Sequence, residues 1–352
     1  MKNIVQLFFV VFSFFCFGQE KNLWYPFFLE NSNTMGFKDK EGKVMIEPKF
    51  FAPLSTGNFN NIYAVNEIDG DEYYLLKNGK KIGIDSVYYF DTEAAYEREE
   101  KIRFRDKKTD RVGFFDKKGI VIIPAIYNEA ENFYNDLAIV YKDGKRWCYD
   151  NNSEERKNCE HYGWINTKAI VINPKNQQLF EINDDDYNLY DFRNIYKNFK
   201  LNENVDSDIY TSYKGNDGNT YSFYSPEKDF KKWFETKFLP DFKTNGRIIG
   251  KYFTNSIELQ IEESSVIIDK KDFITKGFNK NINKLFDDYI KNKYSVDYFN
   301  ENIFNEDSRD ISIDVRFTSK IENKDDISVR KFSQKSIIFK KIGNSFYITT
   351  TY

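Results

Sequence analysis

The pattern of apolar and polar positions divides the chain into a repetitive first part and a later part with helices. Before residue 150, short apolar runs alternate with polar turns rich in Asp, Lys and Gly, which is typical of β-hairpins. The segment MGFKDKEGKVMIEP from Met35 returns as VGFFDKKGIVIIP from Val112, with one residue fewer before the proline. A second shared stretch follows each copy, NFNNIYAV from Asn58 and NFYNDLAI from Asn132. The pattern therefore predicts copies of one small β unit.

Glycines mark the turn of each predicted unit. Gly42, Gly79 and Gly119 follow one another at steps of 37 and 40 residues, which predicts a weaker middle copy. Glycine adopts a positive φ at little cost, and an aspartate in the turn can hydrogen-bond its backbone. Two starts stay open for a further copy, one at Arg146 and one at Tyr162. Because a single unit cannot bury its apolar face alone, neighbouring units are expected to stack.

These residues resemble the WG-repeat family over about residues 35–150. Units of that family look like an aromatic-Gly-aromatic start, an Asp-x-x-Gly turn, an aliphatic-Pro step, then Phe and a small-aliphatic strand. The sequence departs from the family where the Trp-Gly pair should stand. Met35-Gly36 and Val112-Gly113 lack the Trp, and Trp147-Cys148 lacks the Gly. The resemblance implies a β-rich repeat array without a known catalytic residue set, which favours binding.

Residues 173–222 are rich in Asn, Asp and Tyr, and the composition predicts a linker or a degenerate repeat. The acidic triplet at residues 184–186 lacks the alternating Asp-x-Asp-x-Asp-Gly spacing that wraps carboxylates around calcium. We therefore interpret the triplet as a solvated loop.

After residue 223 the spacing of apolar residues changes to that of a helix. Ser225 and Pro226 predict a helix start, and the apolar stripe from Phe230 to Phe238 predicts a helix that ends at Pro240. A second stripe, from Phe278 to Tyr289, predicts another helix. Apolar residues then alternate with polar ones at 257–261, 311–317, 337–339 and 346–348, with a Gly-Asn turn at 343–344, which indicates half-buried strands. This order resembles the curved-sheet folds of the cystatin or NTF2 type.

The first residues are typical of a secretory signal peptide. Lys2 precedes an apolar run from Ile4 to Phe17, and small residues precede Gln19, so cleavage is expected there. The alternative is a buried N-terminal strand. Cleavage would remove Cys16 and leave Cys148 and Cys159 as a disulfide candidate in an oxidising compartment, the alternative being two unpaired thiols. We expect an exported protein that is periplasmic, outer-membrane-associated or extracellular, with no transmembrane segment in its mature chain.

We therefore predict a mainly β protein in which an N-terminal array of β-hairpin repeats precedes a C-terminal α+β domain with a curved antiparallel sheet. The predicted division is a signal peptide at 1–18, a WG-like β-repeat domain at 19–172, the linker or degenerate repeat at 173–222, and the α+β domain at 223–352.

The charged residues and the sequence motifs argue against nucleic-acid binding and against most types of catalysis. The net charge of −3 gives no field that would gather nucleic acid. His161 is the one histidine in the sequence, and neither a nucleophile elbow nor a phosphate-binding loop is present. We predict no catalytic, cofactor-binding or metal-ligating residues, and no enzyme.

The aromatic content, 35 Phe and 25 Tyr, instead favours a binding or scaffolding module for an unknown protein or glycan of the cell envelope. Two alternatives stay open. One is a glycan-acting hydrolase that uses a carboxylate pair, and the other is a purely structural surface protein.

Overall fold

A computed structural model describes residues 23–29, 32, 34–51, 57–68, 70–90, 92–154, 159–182, 199–248, 250–261, 264–300, 310–319 and 334–351. The predicted signal peptide and the acidic triplet at 184–186 lie outside the described residues. The chain divides into two compact units, Met1–Asn132 and Phe133–Tyr352, and each is described by itself.

The first unit is built from β-strands. Its strands are β1 (Tyr25–Phe28), β2 (Thr34–Lys38), β3 (Val44–Phe51), β4 (Ile62–Glu67), β5 (Glu72–Leu76), β6 (Lys81–Ile82), β7 (Tyr89–Phe90), β8 (Glu93–Ala94), β9 (Lys101–Asp106), β10 (Arg111–Asp116), β11 (Val121–Tyr127) and β12 (Glu129–Ala130). Strands β1 to β6 form an antiparallel meander, and β9, β10 and β11 form a second sheet with β10 in the middle.

The second unit begins with further strands and ends in a layer of helices on a sheet. Its strands are β13 (Ala138–Lys142), β14 (Lys145–Cys148), β15 (Tyr162–Ile165), β16 (Lys168–Ile172), β17 (Gln178–Ile182), β18 (Lys200–Leu201), β19 (Tyr210–Lys214), β20 (Thr220–Tyr224), β21 (Phe253–Ile261), β22 (Ser264–Asp269), β23 (Tyr294–Asn300), β24 (Ser312–Ser319), β25 (Gln334–Ile342) and β26 (Ser345–Thr351). Its helices are α1 (Pro226–Trp233), a π-helix (Phe234–Phe238), α2 (Leu239–Asn245), a 3-10 turn (Gly250–Tyr252), α3 (Lys270–Thr275) and α4 (Asn279–Ile290).

One hairpin turn, closed by two backbone hydrogen bonds and with a positive φ at its fourth residue, is found at five places in the described residues. In the first copy the Asp39 N–H donates to the Lys43 carbonyl, and the Gly42 N–H donates to the Asp39 carbonyl. The same two bonds close residues 76–80, 116–120, 173–177 and 215–219. The fourth residue of each turn has a positive φ, and these residues are Gly42, Gly79, Gly119, Asn176 and Gly218. The predicted array of β-hairpin repeats is confirmed, and its turn recurs beyond residue 150.

In three of the copies, the side chain at the first turn position forms hydrogen bonds with the backbone of the turn. The Asp39 carboxylate accepts hydrogen bonds from the backbone N–H groups of Glu41 and Lys43 at 3.1 and 2.8 Å. Asp116 and Asn173 bind their own turns in the same way. Leu76 stands at this position in the middle copy and cannot accept, so Asn78 binds the Lys80 N–H instead.

The middle copy stacks on the third within the first unit. The Tyr74 ring lies 5.8 Å from the Phe115 ring, edge to face, and the Ile82 side chain lies over Gly119. The buried Tyr74 hydroxyl donates to the Arg103 carbonyl and accepts from the Tyr88 N–H. Tyr74 stands where the first and third copies have Phe37 and Phe114, and its hydroxyl forms hydrogen bonds with two backbone groups.

The C-terminal sheet has the order β22-β21-β26-β25-β24-β23. Four of its five strand pairs are antiparallel, whereas β21 runs parallel to β26. The helices cover one face with a core rich in phenylalanine, including Phe230, Phe234, Phe238, Phe286 and Phe339. The predicted α+β domain is confirmed, while the likeness to cystatin or NTF2 folds stays a prediction.

The prediction that Pro240 ends the first helix is wrong. The helix widens into the π-helix, where the Leu239 N–H donates to the Phe234 carbonyl five residues back, and α2 then continues through Pro240. Proline fits because it lies in the first turn of α2, where its missing N–H costs little. The helix ends instead at Gly246, which has a φ of 60°.

Candidate functional site

An insertion interrupts the regular spacing of the repeats. The turns begin at residues 39, 76, 116, 173 and 215, so the third step is 57 residues where the others are 37, 40 and 42. In the first unit, the strand after each complete hairpin pairs with the first strand of the next copy, as β4 does with β5 and β9 with β10. In the second unit β13 pairs with β16 in the same manner. The extra residues, 143–167, therefore lie between two strands, β13 and β16, that pair directly with each other.

The insertion is a hairpin of β14 and β15. Arg146 lies opposite Trp164, Trp147 opposite Gly163, and Cys148 opposite Tyr162. The two starts that the sequence left open for a further copy, at Arg146 and Tyr162, are thus the two strands of one hairpin. Neither is followed by the repeated turn, which comes only after β16.

A disulfide and a carboxylate fasten the outer end of this hairpin. Cys148 and Cys159 are joined, with their Cα atoms 5.9 Å apart, and Cys148 is fully buried. The Asp150 carboxylate accepts from the backbone N–H groups of Glu160 and His161 at 2.6 and 2.8 Å. These bonds hold the aromatic strands at a fixed separation where the chain would otherwise splay.

Aromatic side chains line both faces of the hairpin. On one face the Arg146 guanidinium lies 4.2 Å from the Trp164 ring centroid and 4.9 Å from that of Tyr162, which is cation–π geometry. On the other face the Tyr149 ring lies against Gly163, where a β-carbon would come within 2.9 Å of it. Tyr149 is 58% exposed and Trp147 is half-buried. The insertion therefore presents tryptophan, tyrosine and arginine together.

The ion pair of Asp150 and His161 titrates at this end of the hairpin. The His161 Nδ1 atom lies 2.6 Å from Asp150 Oδ1, and this hydrogen bond raises the pKa of His161 above 6.5. The hydrogen bonds from the His161 backbone and ring lower the pKa of Asp150 below 3.8. The raised histidine pKa contributes stability that is present below pH 6.5 and lost as pH rises through the folded value. The lowered aspartate pKa contributes stability that is lost as pH falls below 3.8.

We expect the imidazole of His161 to titrate with a midpoint above 6.5 in the folded protein and close to 6.5 in the Asp150→Asn variant. The amide of the variant can still accept a hydrogen bond but carries no charge to stabilise the imidazolium. Proton NMR of the single histidine measures both midpoints without assignment. An unchanged midpoint in the variant would contradict the pairing.

The residues singled out from the sequence fall in two places. Gly42, Gly79 and Gly119 lie in the repeated turns of the first unit, whereas Cys148 and Cys159 lie in the inserted hairpin. Cys148, Asp150 and Cys159 also form the one group of three possible metal-ligating side chains found in the described part of the chain, but both sulfurs are in the disulfide. The sequence did not single out the aromatic residues of the hairpin as binding residues, and the irregular third step could have pointed to them.

The recurring turn, the strand pairing and the stacked copies define a β-repeat protein with one aromatic insertion. Residues 113–145 match the family model described as WG containing repeat, so the chain carries a repeat of this family, and the resemblance seen in the sequence is confirmed. The match ends at Lys145, where β14 begins. Neither a curated protein nor a solved structure matches the chain. Over the described residues, no helix has both the length and the apolar character needed to span a bilayer.

Proposed function

We propose that the chain is an exported repeat protein of the cell envelope that binds a protein or glycan ligand through the hairpin at residues 143–167, and that it works as a scaffold rather than as an enzyme. The observation that carries the proposal is the position of this hairpin. It is an insertion between two pairing strands of an otherwise regular array, and insertions in repeat proteins commonly supply the binding face.

The composition of the hairpin supports binding. Tryptophan, tyrosine and arginine are the residues most often found at the energetic centre of protein interfaces, because each offers a large contact area together with a polar group. Arg146 already lies over two rings, so its guanidinium is held in place before a ligand arrives. A ligand would therefore meet a surface that loses little side-chain entropy on binding.

The disulfide supports export. Disulfides persist in oxidising compartments and are rare in the reducing cytosol, and the bond between Cys148 and Cys159 holds the end of the proposed site. The apolar leader that precedes Gln19 in the sequence agrees with the same compartment.

The experiment is photocrosslinking in intact cells, with mass spectrometry of the envelope fraction. A photoreactive group at residue 145, the first residue of β14, is expected to trap a discrete partner. The double variant Trp147→Ala with Tyr149→Ala is expected to reduce this adduct at least about tenfold, since hot-spot side chains each contribute on the order of 2 kcal/mol.

Phe90→Ala provides the matched control. Phe90 is 71% exposed and lies outside residues 143–167, so its substitution removes an exposed aromatic side chain and leaves the sequence of the hairpin unchanged. Equal loss of the adduct in both variants would reject the hairpin as the binding site. A chain found only in the cytosolic fraction would reject the envelope role.

A further inference from the structure

Four potential metal ligands meet at the outer end of the inserted hairpin. The sulfurs of Cys148 and Cys159 and a carboxylate oxygen of Asp150 all lie within 4.8 Å of one another. The His161 Nδ1 atom lies 2.6 Å from Asp150 Oδ1, so a fourth donor adjoins the other three. Two thiolates, an imidazole and a carboxylate are donors that zinc accepts in tetrahedral sites. The two sulfurs are bonded to each other in the disulfide, so only the dithiol state of the chain offers all four donors.

Backbone hydrogen bonds hold this end of the hairpin in addition to the disulfide. The Tyr149 N–H donates to the His161 carbonyl at 2.9 Å. Cys148 and Ser153 exchange two backbone hydrogen bonds, at 2.7 and 3.2 Å. Asp150 Oδ2 accepts from the backbone N–H of His161 at 2.8 Å. None of these bonds uses a sulfur atom, so we expect the backbone to keep the four donors close together when the disulfide is reduced.

The movements that would close the four donors around an ion are small. At the usual zinc distances of about 2.0–2.3 Å, two donors of a tetrahedral site lie about 3.3–3.8 Å apart. The Cys148 sulfur can stay in its buried position, while Cys159 is half-buried and can turn away once the bond is cleaved. The His161 side chain is 76% exposed, so its ring can also move. The ion would take the place of the hydrogen-bonding proton between His161 Nδ1 and Asp150 Oδ1.

We propose that the dithiol form of the chain binds one zinc ion through Cys148, Cys159, Asp150 and His161, and that the ion and the disulfide exclude each other. Each chain carries both cysteines as thiols before the disulfide forms, so the four donors are available at that stage. Zinc binding displaces one proton from each thiol and gives two thiolate ligands. A small-molecule disulfide then oxidises the site. The two thiolates lose two electrons and form the bond between Cys148 and Cys159, the oxidant is reduced to two thiolates, and zinc leaves as Zn²⁺.

Titration of the full chain with cobalt tests the proposal. The chain is reduced with a phosphine in the absence of oxygen, and Co²⁺ serves as a spectroscopic substitute for Zn²⁺. The reduced wild type is expected to bind one Co²⁺ and to show thiolate-to-cobalt charge transfer together with the intense d–d absorption of a tetrahedral ion. Zn²⁺ is expected to displace the cobalt, because zinc has no d-electron preference for another geometry. The disulfide form is expected to show neither absorption.

Two conservative variants distinguish a four-ligand site from binding by the thiols alone. Asp150→Asn retains an oxygen for the backbone hydrogen bonds but loses the charge, and His161→Gln removes the imidazole. Each variant is expected to raise the Kd for Co²⁺ at least about tenfold. Glu160→Gln changes an exposed neighbouring carboxylate outside the group of ligands, so it is the matched control and should leave the Kd unchanged. Circular dichroism of the reduced variants checks the fold, and His161→Gln alters only an exposed side chain.

Oxidation gives a second readout. Adding a small-molecule disulfide to the zinc-loaded chain is expected to release one Zn²⁺ per chain, detected with a chromogenic chelator, as the bond between Cys148 and Cys159 forms. Failure of the reduced wild type to bind Co²⁺ would overturn the proposal. Cobalt absorption of equal strength in the disulfide form would overturn it too, as would retention of zinc after oxidation. A Kd that stays unchanged in either Asp150→Asn or His161→Gln would remove that residue from the site and reject the four-ligand arrangement.

Discussion

Replacing Gly113 with alanine is expected to destabilise the first unit by about 3 kcal/mol, because the added β-carbon has no room. It would come within 2.5 Å of the Ile123 carbonyl oxygen and 2.8 Å of the Ala125 nitrogen, and both are backbone atoms. A side chain could turn away, but β11 can retreat only by giving up its pairing with β10. The midpoint of thermal unfolding is therefore expected to fall by roughly 10 °C, at about 4 °C per kcal/mol for a unit of between about 100 and 150 residues.

Two other glycines separate this mechanism from a general effect of glycine. Gly36 occupies the same place in the first copy, where a β-carbon would lie 2.4 Å from the Ile46 carbonyl oxygen. Gly36→Ala should therefore lower the free energy of unfolding by about as much as Gly113→Ala. Gly42 has a φ of 87° and nothing within 4 Å of its missing β-carbon. Gly42→Ala should therefore lower the free energy of unfolding by only about 1 kcal/mol, because the alanine must adopt a left-handed backbone conformation. Equal losses for Gly113→Ala and Gly42→Ala would contradict the close-approach argument.

The close approach also explains the pattern of the repeat. Register shifts surround Gly36 in the pairing of β2 with β3, and Gly113 in the pairing of β10 with β11. The second strand bulges over the glycine at these points. In the middle copy Tyr73 stands at this position, and the partner strand β6 has only two residues. Glycine at this position therefore occurs with a long second strand, and tyrosine occurs with a short one.

Much of the repeat could be predicted from the sequence because its signals are local. The turn needs a positive φ at one residue and an acceptor three residues earlier, and Gly42 and Asp39 supply them within five positions. The fourth and fifth turns were harder to find because other residues meet the same requirements. Asn176 takes the positive φ in one, and Gly215 stands at the aspartate position in the other.

Features that depend on distant residues could not be predicted. The pairing of β13 with β16 joins segments on either side of the inserted hairpin, so no local pattern marks 143–167 as an insertion. The parallel pairing of β21 with β26 joins residues about 90 positions apart. The alternation of apolar and polar residues in each strand does not indicate whether two strands pair parallel or antiparallel. The continuation of the helix through Pro240 depends on the π-helix before it, which proline rules alone do not anticipate.

A polar cluster of three residues connects the last repeat sheet to the C-terminal domain inside the second unit. The Lys341 ammonium on β25 donates to the Tyr224 hydroxyl at the end of β20, at 2.6 Å, and forms an ion pair with Asp229 on α1. The Tyr224 hydroxyl also donates to Asp229. Only 14% of the Lys341 side chain and 20% of the Asp229 side chain are exposed. Burial and the hydrogen bond to Asp229 raise the pKa of Tyr224 strongly, so it stays a neutral donor.

Lys341→Met is expected to destabilise the second unit by about 3 kcal/mol, measured by denaturant unfolding. Methionine preserves much of the side-chain volume over the Phe346 ring, but the Asp229 carboxylate is left largely buried without its cation. The loss should therefore come from the uncompensated charge rather than from packing. Lys340→Met, the adjacent and more exposed lysine that pairs with Asp310 near the surface, should cost less than about 1 kcal/mol.

Combining Lys341→Met with Asp229→Leu separates these two causes. If the unpaired carboxylate is responsible, removing it should recover a large part of the loss, since apolar replacement of a whole buried ion pair is often close to neutral. The double variant would then be more stable than Lys341→Met alone, and the coupling energy between the two sites would be on the order of 2 kcal/mol. Additive losses would instead show that Lys341 contributes through its aliphatic contacts with Tyr224 and Phe346, and that the ion pair itself adds little to the junction between β20, α1 and β25.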